Sequence, residues 1–303
     1  MNEKKKISSS PLCLISAIAW GISFPVQEMA SKNAHILDAL GFNGMRMLVG
    51  ALVLIPLVFL LERKADFSKK RVTDTIKYGA FAGVILFLAS ITQQLGIQLT
   101  GESGKAGFIT SLYLVFVPLI SFAFFKRKPS LFVLIALPFA VLGLYFLSFA
   151  DGFGAVSTGD LLLLVCSVLY ATHIIVLGKS SLYVNPILFS CIQFFVGGVL
   201  GVASSGIFGT ITVIGITSTL FPIFFSGIFS IAIAYTFQLL GQKNGNETVC
   251  ALFCSMEALV AVIAECIMEA HLPSGKIIIG CALMLVAVVL AQLPSKSTKV
   301  NLK

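Results

Sequence analysis

Charged residues are scarce in this 303-residue chain. Asp, Glu, Lys and Arg together make up 11% of the sequence, whereas soluble domains carry about 25%. The chain has one tryptophan and three histidines. Hydrophobic residues make up 57%, and the mean hydropathy is +1.00. So few charges cannot cover the surface of an ordinary water-soluble fold, and the composition excludes that class of protein.

The sequence also lacks the motifs of several function classes. It has no phosphate-binding glycine loop, no His–Glu zinc pattern and no nucleophile–base pair at an assignable spacing. We therefore expect no ATP-driven chemistry within this chain, no metal and no cofactor. The net charge of +8 does not indicate nucleic-acid binding, because the basic residues lie between apolar runs and not on one soluble face.

The cysteines do not form a disulfide pattern. Their number is odd, and no extracellular segment holds a pair. Cys250 and Cys254 share a helical face, but no His or Asp beside them completes a metal set. We expect them to be small packing residues inside apolar runs, with a metal or redox role as the alternative. The seven are Cys13, Cys166, Cys191, Cys250, Cys254, Cys266 and Cys281.

Long apolar runs dominate the rest of the chain. About 20 apolar residues suffice to cross the hydrocarbon core as a helix, and lipid admits only helices or closed barrels. The pattern predicts an all-α integral membrane protein with ten transmembrane helices. The first run continues without a convincing cleavage site, so we interpret it as a retained span and not a signal peptide. The runs lie at about 11–30, 38–61, 76–99, 104–125, 131–150, 160–178, 186–208, 216–241, 247–268 and 275–293.

The basic residues predict the orientation of these spans. With the N-terminus inside and ten crossings, the inner segments hold 17 of the 21 Lys and Arg residues. The outer segments hold three, and Arg46 lies within the second span. Cytoplasmic segments carry an excess of Lys and Arg, so we expect both termini in the cytoplasm.

The two halves of the chain are weakly similar to each other. An offset of 144 residues aligns Tyr113 with Glu257 and Gln94 with Gln238, and an offset of 150 aligns Trp20 with Tyr170. Because five spans is an odd number, the second half enters the membrane from the opposite side, as in the inverted repeats of secondary transporters. We expect a cytoplasmic N-terminus over residues 1–10 and a first repeat over residues 11–150. An outer linker over 151–159 then leads to a second repeat over 160–293 and a cytoplasmic tail over 294–303.

Short motifs stand at particular places in this arrangement. The first span carries "WG" at Trp20 and Gly21, followed by Phe24, and the second carries Arg46. The remaining motifs are "SLYLVFVPL" in span four, "GD" opening the second half, "SMEALVAV" in span nine and "IIIGCALMLVAVVL" in span ten.

Together these motifs resemble the EamA-type members of the drug/metabolite transporter superfamily. The resemblance covers about residues 11–293 and implies a ten-helix carrier of small organic metabolites, often directed outward, with a central cavity. The chain departs from the family at Leu114 and Ala258, where proline is frequent, and at the basic "KRK" after span four. These changes affect the expected kink geometry.

Arg46 is the first candidate for a substrate-binding residue. A charged arginine at the centre of a span costs about 2.5–3.5 kcal/mol on insertion scales. Its side chain can snorkel to the outer surface or pair with Glu28 near the outer end of span one. Alternatively, it can bind an anionic substrate group through its planar fork.

Glu257 is the second candidate, because it lies roughly ten residues into span nine. A carboxylate at that depth is either protonated or has a cationic partner. A substrate ammonium or a coupling proton would supply the partner. The alternative is a neutral glutamic acid hydrogen-bonded in the packing.

Six further polar or aromatic residues inside the spans complete the predicted site. Each also has a structural interpretation, as a core histidine, a helix-to-helix hydrogen bond or ordinary packing. They are Trp20, Gln94, Tyr113, His173, Tyr235 and Gln238.

The sequence leaves three functions open. The leading hypothesis is a multi-pass carrier in the cell membrane that moves an amino acid or related compound by alternating access, without enzymatic activity. An arginine and a glutamate suit the two charges of a zwitterion. The alternatives are a channel or sensor without turnover and an integral-membrane lipid enzyme. We expect a small-molecule substrate and the lipid bilayer as partners, and no nucleic acid; the sequence indicates no oligomeric state.

Overall fold

The fold is a bundle of helices, as seen in a computed structural model. The structure describes residues 9–32, 37–63, 65–101, 103–126, 128–148, 157–243, 245–268, 274–291 and 293. The predicted tail lies outside these residues, as do most of the predicted N-terminal segment and most of the outer linker. In order, the helices of the first half are α1 (Ser9–Gly21), α2 (Ser23–Ser31), α3 (Ala39–Leu61), α4 (Lys69–Thr100), α5 (Ser103–Ser111), α6 (Tyr113–Phe125) and α7 (Leu131–Ser148).

The second half is also a succession of apolar helices. One of its segments is a π-helix, Ser226–Tyr235, which lies between two α-helices. The α-helices are α8 (Thr158–Ser180), α9 (Pro186–Phe208), α10 (Val213–Ser218), α11 (Leu220–Phe225), α12 (Thr236–Gln242), α13 (Glu247–Cys254), α14 (Glu257–Met268) and α15 (Gly275–Ala291).

Eight helical segments among the described residues are long and apolar enough to cross a membrane. The protein is therefore helical and multi-pass, as the hydropathy pattern predicts. Two shorter apolar helices, Leu131–Phe146 and Gly275–Ala291, coincide with the fifth and tenth predicted spans. The number of ten crossings stays a prediction. The eight segments are Pro11–Ser31, Ala39–Leu61, Lys69–Thr100, Ala106–Phe125, Thr158–Ser180, Pro186–Phe208, Leu220–Gln242 and Glu247–Ala264.

Two spans are interrupted at equivalent positions. The α5–α6 segment breaks at Leu112, and α6 begins at Tyr113. The α13–α14 segment breaks before Glu257, where α14 begins. The two start positions differ by the repeat offset of 144. The breaks form although Leu114 and Ala258 stand where proline is frequent in the family, so proline is not required for them.

Helices α3 and α9 pack against each other through glycines. A Cβ atom on Gly201 would lie 2.6 Å from the Cα atom of Gly44. A Cβ atom on Gly44 would lie 2.5 Å from the backbone nitrogen of Val202. Such small residues let two helix backbones approach closely in a membrane. The α3–α9 pair therefore requires glycine at both positions.

Gly201→Val is expected to destabilise the folded protein by about 1–3 kcal/mol, since an added side chain meets backbone that cannot move aside. The measurement is the thermal unfolding midpoint in detergent. Gly206→Val is the matched control on the same helix, because a Cβ atom there meets nothing within 4 Å. An equal loss in both variants would contradict the close-packing role of Gly201.

Carboxylates hold the two ends of the α3–α9 pair. At one end, Asp38 caps α3 by accepting from the Gly41 N–H at 2.7 Å, and it also accepts from the Ser205 hydroxyl at 2.8 Å. At the other end, Glu62 accepts from the backbone N–H groups of Ile187 and Leu188 at 2.8 and 3.0 Å. Glu62 thereby satisfies two free donors at the start of α9.

The expectation that no cysteine forms a disulfide is wrong. The structure joins Cys13 of α1 to Cys250 of α13, with a Cα–Cα distance of 5.8 Å. These residues are 237 positions apart, and their proximity arises from the contact between α1 and α13, which cysteine spacing does not reveal. The other five cysteines form no disulfide.

Candidate functional site

A cavity lies inside the bundle, between helices of both halves. Fourteen of the described residues line it. The lining residues are Trp20, Phe24, Gln27, Arg46, Gln93, Thr110, Tyr113, Tyr170, His173, Ile174, Ser230, Tyr235, Gln238 and Glu257.

Arg46 enters this cavity from α3. Its side chain is 2% exposed, so it does not snorkel to the outer surface. Its Nη1 donates to Gln27 Oε1 at 2.6 Å, and its Nε donates to Asn43 Oδ1 at 2.9 Å. Both acceptors are neutral amide oxygens, which fix the guanidinium in place but leave its charge uncompensated.

The alternative pair between Arg46 and Glu28 is not formed. Glu28 lies 3.9 Å from Lys32 on the next helical turn of α2. The neighbouring residue Gln27 points inward instead and contacts Arg46. One residue along a helix turns the side chain by about 100°, which separates the solvent-facing glutamate from the inward-facing glutamine.

Glu257 enters the cavity at the first residue of α14. It is 5% exposed, and its Oε1 accepts from the Tyr113 hydroxyl at 3.0 Å and from the Ser111 hydroxyl at 3.4 Å. Both donors lie at the break between α5 and α6. Among the described residues, no Lys or Arg lies within ion-pair distance of this carboxyl group.

Aromatic rings form one wall of the cavity. The Trp20 and Tyr235 ring centroids are 4.8 Å apart in an edge-to-face arrangement, and the His173 and Tyr235 centroids are 5.6 Å apart. Trp20 Nε1 donates to the Ser230 carbonyl of the π-helix at 3.0 Å. This bond satisfies the one polar atom of the indole ring, so its face is available for apolar contact.

A second wall carries neutral polar groups. The Tyr170 hydroxyl donates to Gln93 Oε1 at 3.1 Å, and Gln93 Nε2 donates to the Thr110 hydroxyl at 3.5 Å. In the part of the chain that the structure describes, His173 Nδ1 and Gln238 Oε1 are buried without a hydrogen-bond partner. Buried polar atoms without a partner are costly, and both residues line the cavity.

Seven of the eight predicted site residues line the cavity: Trp20, Arg46, Tyr113, His173, Tyr235, Gln238 and Glu257. The eighth, Gln94, is not part of the lining. Its Nε2 donates to the Ser31 hydroxyl at 2.7 Å and to the Gln27 carbonyl at 3.3 Å, so it holds α4 against α2. The adjacent Gln93 faces the cavity. Binding roles for the eight residues stay predictions.

Seven of the fourteen lining residues lie outside the predicted set, and Gln27 and Ser230 are two of them. Gln27 has a signal that could have found it, because Trp20, Phe24 and Gln27 follow the spacing of one helical face. Ser230 has no such signal, since it lies in the π-helix, where the turn is wider than in an α-helix. One set of three possible metal ligands occurs among the described residues, the Sγ atoms of Cys13, Cys250 and Cys254, and none of these residues lines the cavity.

Comparisons with known proteins identify the family. The family model described as "EamA-like transporter family" matches residues 8–149 and again residues 157–293. The chain is 26% identical over 277 residues to an uncharacterised transporter of Archaeoglobus fulgidus, with 91% of this chain and 83% of that protein covered. One crystal structure superposes with a TM-score of 0.75 at 15% identity, covering 94% of this chain and 96% of that one. That last likeness shows the fold alone.

The matches of the family model to both halves confirm the resemblance inferred from the motifs. The chain belongs to the EamA-like transporter family and is a multi-pass membrane transporter.

Proposed function

We propose that this transporter is a secondary carrier that binds a zwitterionic metabolite of the amino-acid class in the central cavity. It moves this substrate by alternating access between the two halves. Outward movement is part of the proposal because the resembled carriers often act in that direction. No catalytic step on the substrate is involved.

One observation carries the proposal: a guanidinium and a carboxyl group, neither with an oppositely charged partner among the described residues, line the same buried cavity. Within that part of the chain, Arg46 is hydrogen-bonded by amide oxygens and Glu257 by hydroxyl groups. Burying a charge without a partner is costly. A bound zwitterion lowers that cost at both residues, with its carboxylate at Arg46 and its ammonium at Glu257.

The remaining lining suits the body of such a substrate. Trp20 and Tyr235 offer ring faces and edges to an apolar side chain. His173 and Gln238 add two polar side chains to the lining. Glu257 is also the candidate carrier of a coupling proton, since it is the acidic residue in the lining.

The two-half architecture supports alternating access. Tyr113 and Glu257 occupy the same position in their respective halves, at equivalent helix breaks, and are hydrogen-bonded to each other at 3.0 Å. Inverted repeats of this kind place the substrate site at the interface between halves, near the midplane. Movement of one half against the other would expose the site to each side in turn.

A binding screen on the purified protein tests the substrate class. Each common amino acid is tested for a rise in the thermal unfolding midpoint, since a ligand of the folded state stabilises it by mass action. For each one that binds, the decarboxylated amine and the deaminated acid serve as matched analogues. We expect both analogues to bind at least about tenfold more weakly, because each loses one charge contact. Equal binding of either analogue, or no stabilisation by any amino acid, would contradict the proposal.

The predicted orientation has its own test, by labelling of single cysteines in a cysteine-free version of the protein. Ser68 lies at an exposed position just before α4, and Ser274 is exposed just before α15. We expect an impermeant thiol reagent, added outside intact cells, to label Ser274→Cys and not Ser68→Cys. The opposite pattern would reverse the assignment of both termini to the cytoplasm.

A further inference from the structure

Three cysteine sulfur atoms lie together beside the cavity. The Sγ atoms of Cys13, Cys250 and Cys254 all lie within 4.8 Å of one another, and all three residues are buried. The structure bonds Cys13 to Cys250, while Cys254 Sγ lies 3.9 Å from Cys250 Sγ. None of the three lines the cavity, although Gln238 of the lining donates to Cys254 Sγ at 3.9 Å.

The Cys13–Cys250 bond joins the two halves of the transporter. Cys13 lies in the first segment that the family model matches, 8–149, and Cys250 lies in the second, 157–293. Their helices, α1 and α13, are in direct contact. A covalent bond at this contact limits the Cα–Cα distance to about 7 Å, so the two helices cannot separate there.

The bond lies to one side of the cavity. Trp20 and Glu257 line the cavity, and each follows its cysteine by seven residues. At 1.5 Å per helical residue, the bond lies about 10 Å from the site along both helices. In the proposed orientation it is on the cytoplasmic side, because α1 and α13 both begin there.

We propose that Cys13 and Cys250 are a redox-modification site that locks the transporter when oxidised. This inference rests on the proposed alternating access. Opening the cavity toward the cytoplasm requires the inner ends of α1 and α13 to move apart. The disulfide prevents that movement and holds the carrier with its cytoplasmic side closed, whereas the two free thiols allow turnover.

The chemistry is a two-electron oxidation. The two thiols lose two protons and two electrons, and one S–S bond forms. A quinone dissolved in the same bilayer can accept both protons and electrons and become the hydroquinone. Reduction by a small dithiol reverses the step. Cytoplasmic proteins are kept reduced by thiol systems, so the lock operates under oxidising conditions.

Transport by the full-length protein in liposomes tests the lock. Diamide, a permeant thiol oxidant, is expected to lower amino-acid exchange at least tenfold in the wild type, and dithiothreitol is expected to restore it. Cys13→Ala and Cys250→Ala should each transport normally and resist diamide. Cys166→Ala removes a buried cysteine outside the cluster and should keep the wild-type sensitivity. Mass spectrometry of the alkylated protein reports how much of the Cys13–Cys250 bond is present.

Three outcomes would overturn the inference. The first is undiminished exchange by a protein in which mass spectrometry finds the bond complete. The second is inhibition by diamide that persists in Cys13→Ala. The third is inhibition that requires Cys254, occurs with Cu(I) under reducing conditions and is reversed by a chelator, which would make the cluster a soft-metal site. Failure of the proposed function is distinguishable, because the reduced wild type would then exchange no amino acid.

Discussion

Glu257→Gln is expected to lower the affinity for a zwitterionic substrate at least about thirtyfold, which corresponds to about 2 kcal/mol or more. The amide keeps the shape of the side chain and still accepts the Tyr113 hydroxyl that donates to Glu257 Oε1 at 3.0 Å. It loses the negative charge that a substrate ammonium needs. The measurements are concentration-dependent exchange in liposomes and the yield of monodisperse protein, which we expect to be unchanged.

Two further variants separate charge from packing. Tyr113→Phe removes the hydroxyl donor and keeps the carboxyl group, so we expect a smaller loss of affinity than in Glu257→Gln. Glu28→Gln removes a carboxylate that is paired with Lys32 outside the cavity, and exchange should be unchanged. If Glu257 carries a coupling proton, Glu257→Gln also loses the pH dependence of transport. Wild-type exchange with unchanged pH dependence would leave Glu257 with a role in packing only.

Arg46 is expected to give the second large effect, with Arg46→Ala lowering affinity by at least about a hundredfold and Arg46→Lys by about tenfold. Lysine keeps the charge but loses the planar fork, which can bind a carboxylate with two parallel hydrogen bonds. It also cannot reproduce the two contacts to Gln27 Oε1 and Asn43 Oδ1. The measurement is substrate affinity, taken together with the amount of folded protein.

Arg71 provides a matched control for this series. It also donates to an asparagine side chain and to a backbone carbonyl, at Asn185 and Val184, but it lies outside the cavity lining. Arg71→Lys should therefore leave substrate affinity unchanged. Normal affinity in Arg46→Lys would exclude the carboxylate clamp and leave Arg46 as a structural residue.

The membrane class and the family could be predicted from the sequence because they depend on local or short-range information. Apolar runs of about 20 residues and the motifs around Trp20 and Glu257 are contiguous in the chain. The offset of 144 residues also aligns Tyr113 with Glu257. The structure places these two side chains in direct contact, which the alignment by itself does not require.

The contacts that define the site could not be predicted, because they join distant or rotated positions. The sequence offers the charged Glu28 as a partner for Arg46. In the structure, Gln27 of α2 faces Arg46, and Glu28 does not. Gln94 matches Gln238 by offset, but the neighbouring Gln93 faces the cavity. Each of these outcomes depends on the rotation of a helix about its axis, because adjacent residues in a helix point to different faces.

Backbone irregularities were the other source of error. The breaks before Tyr113 and Glu257 occur without the prolines that usually indicate a kink. The π-helix Ser226–Tyr235 has no marker in its composition, yet it contributes Ser230 and Tyr235 to the lining. The Cys13–Cys250 bond likewise depends on the contact of two helices from different halves.

Counterflow of a labelled amino acid tests the central claim most directly. Liposomes with the reduced wild-type protein are loaded with unlabelled substrate identified in the binding screen, and labelled substrate is added outside. A carrier that exposes one site alternately to each side gives transient accumulation of label above equilibrium, and the internal substrate accelerates its entry. We predict this accumulation for the wild type and its loss in Glu257→Gln. Entry of label that never exceeds equilibrium and is unaffected by internal substrate would contradict the account, because it is the behaviour of a channel.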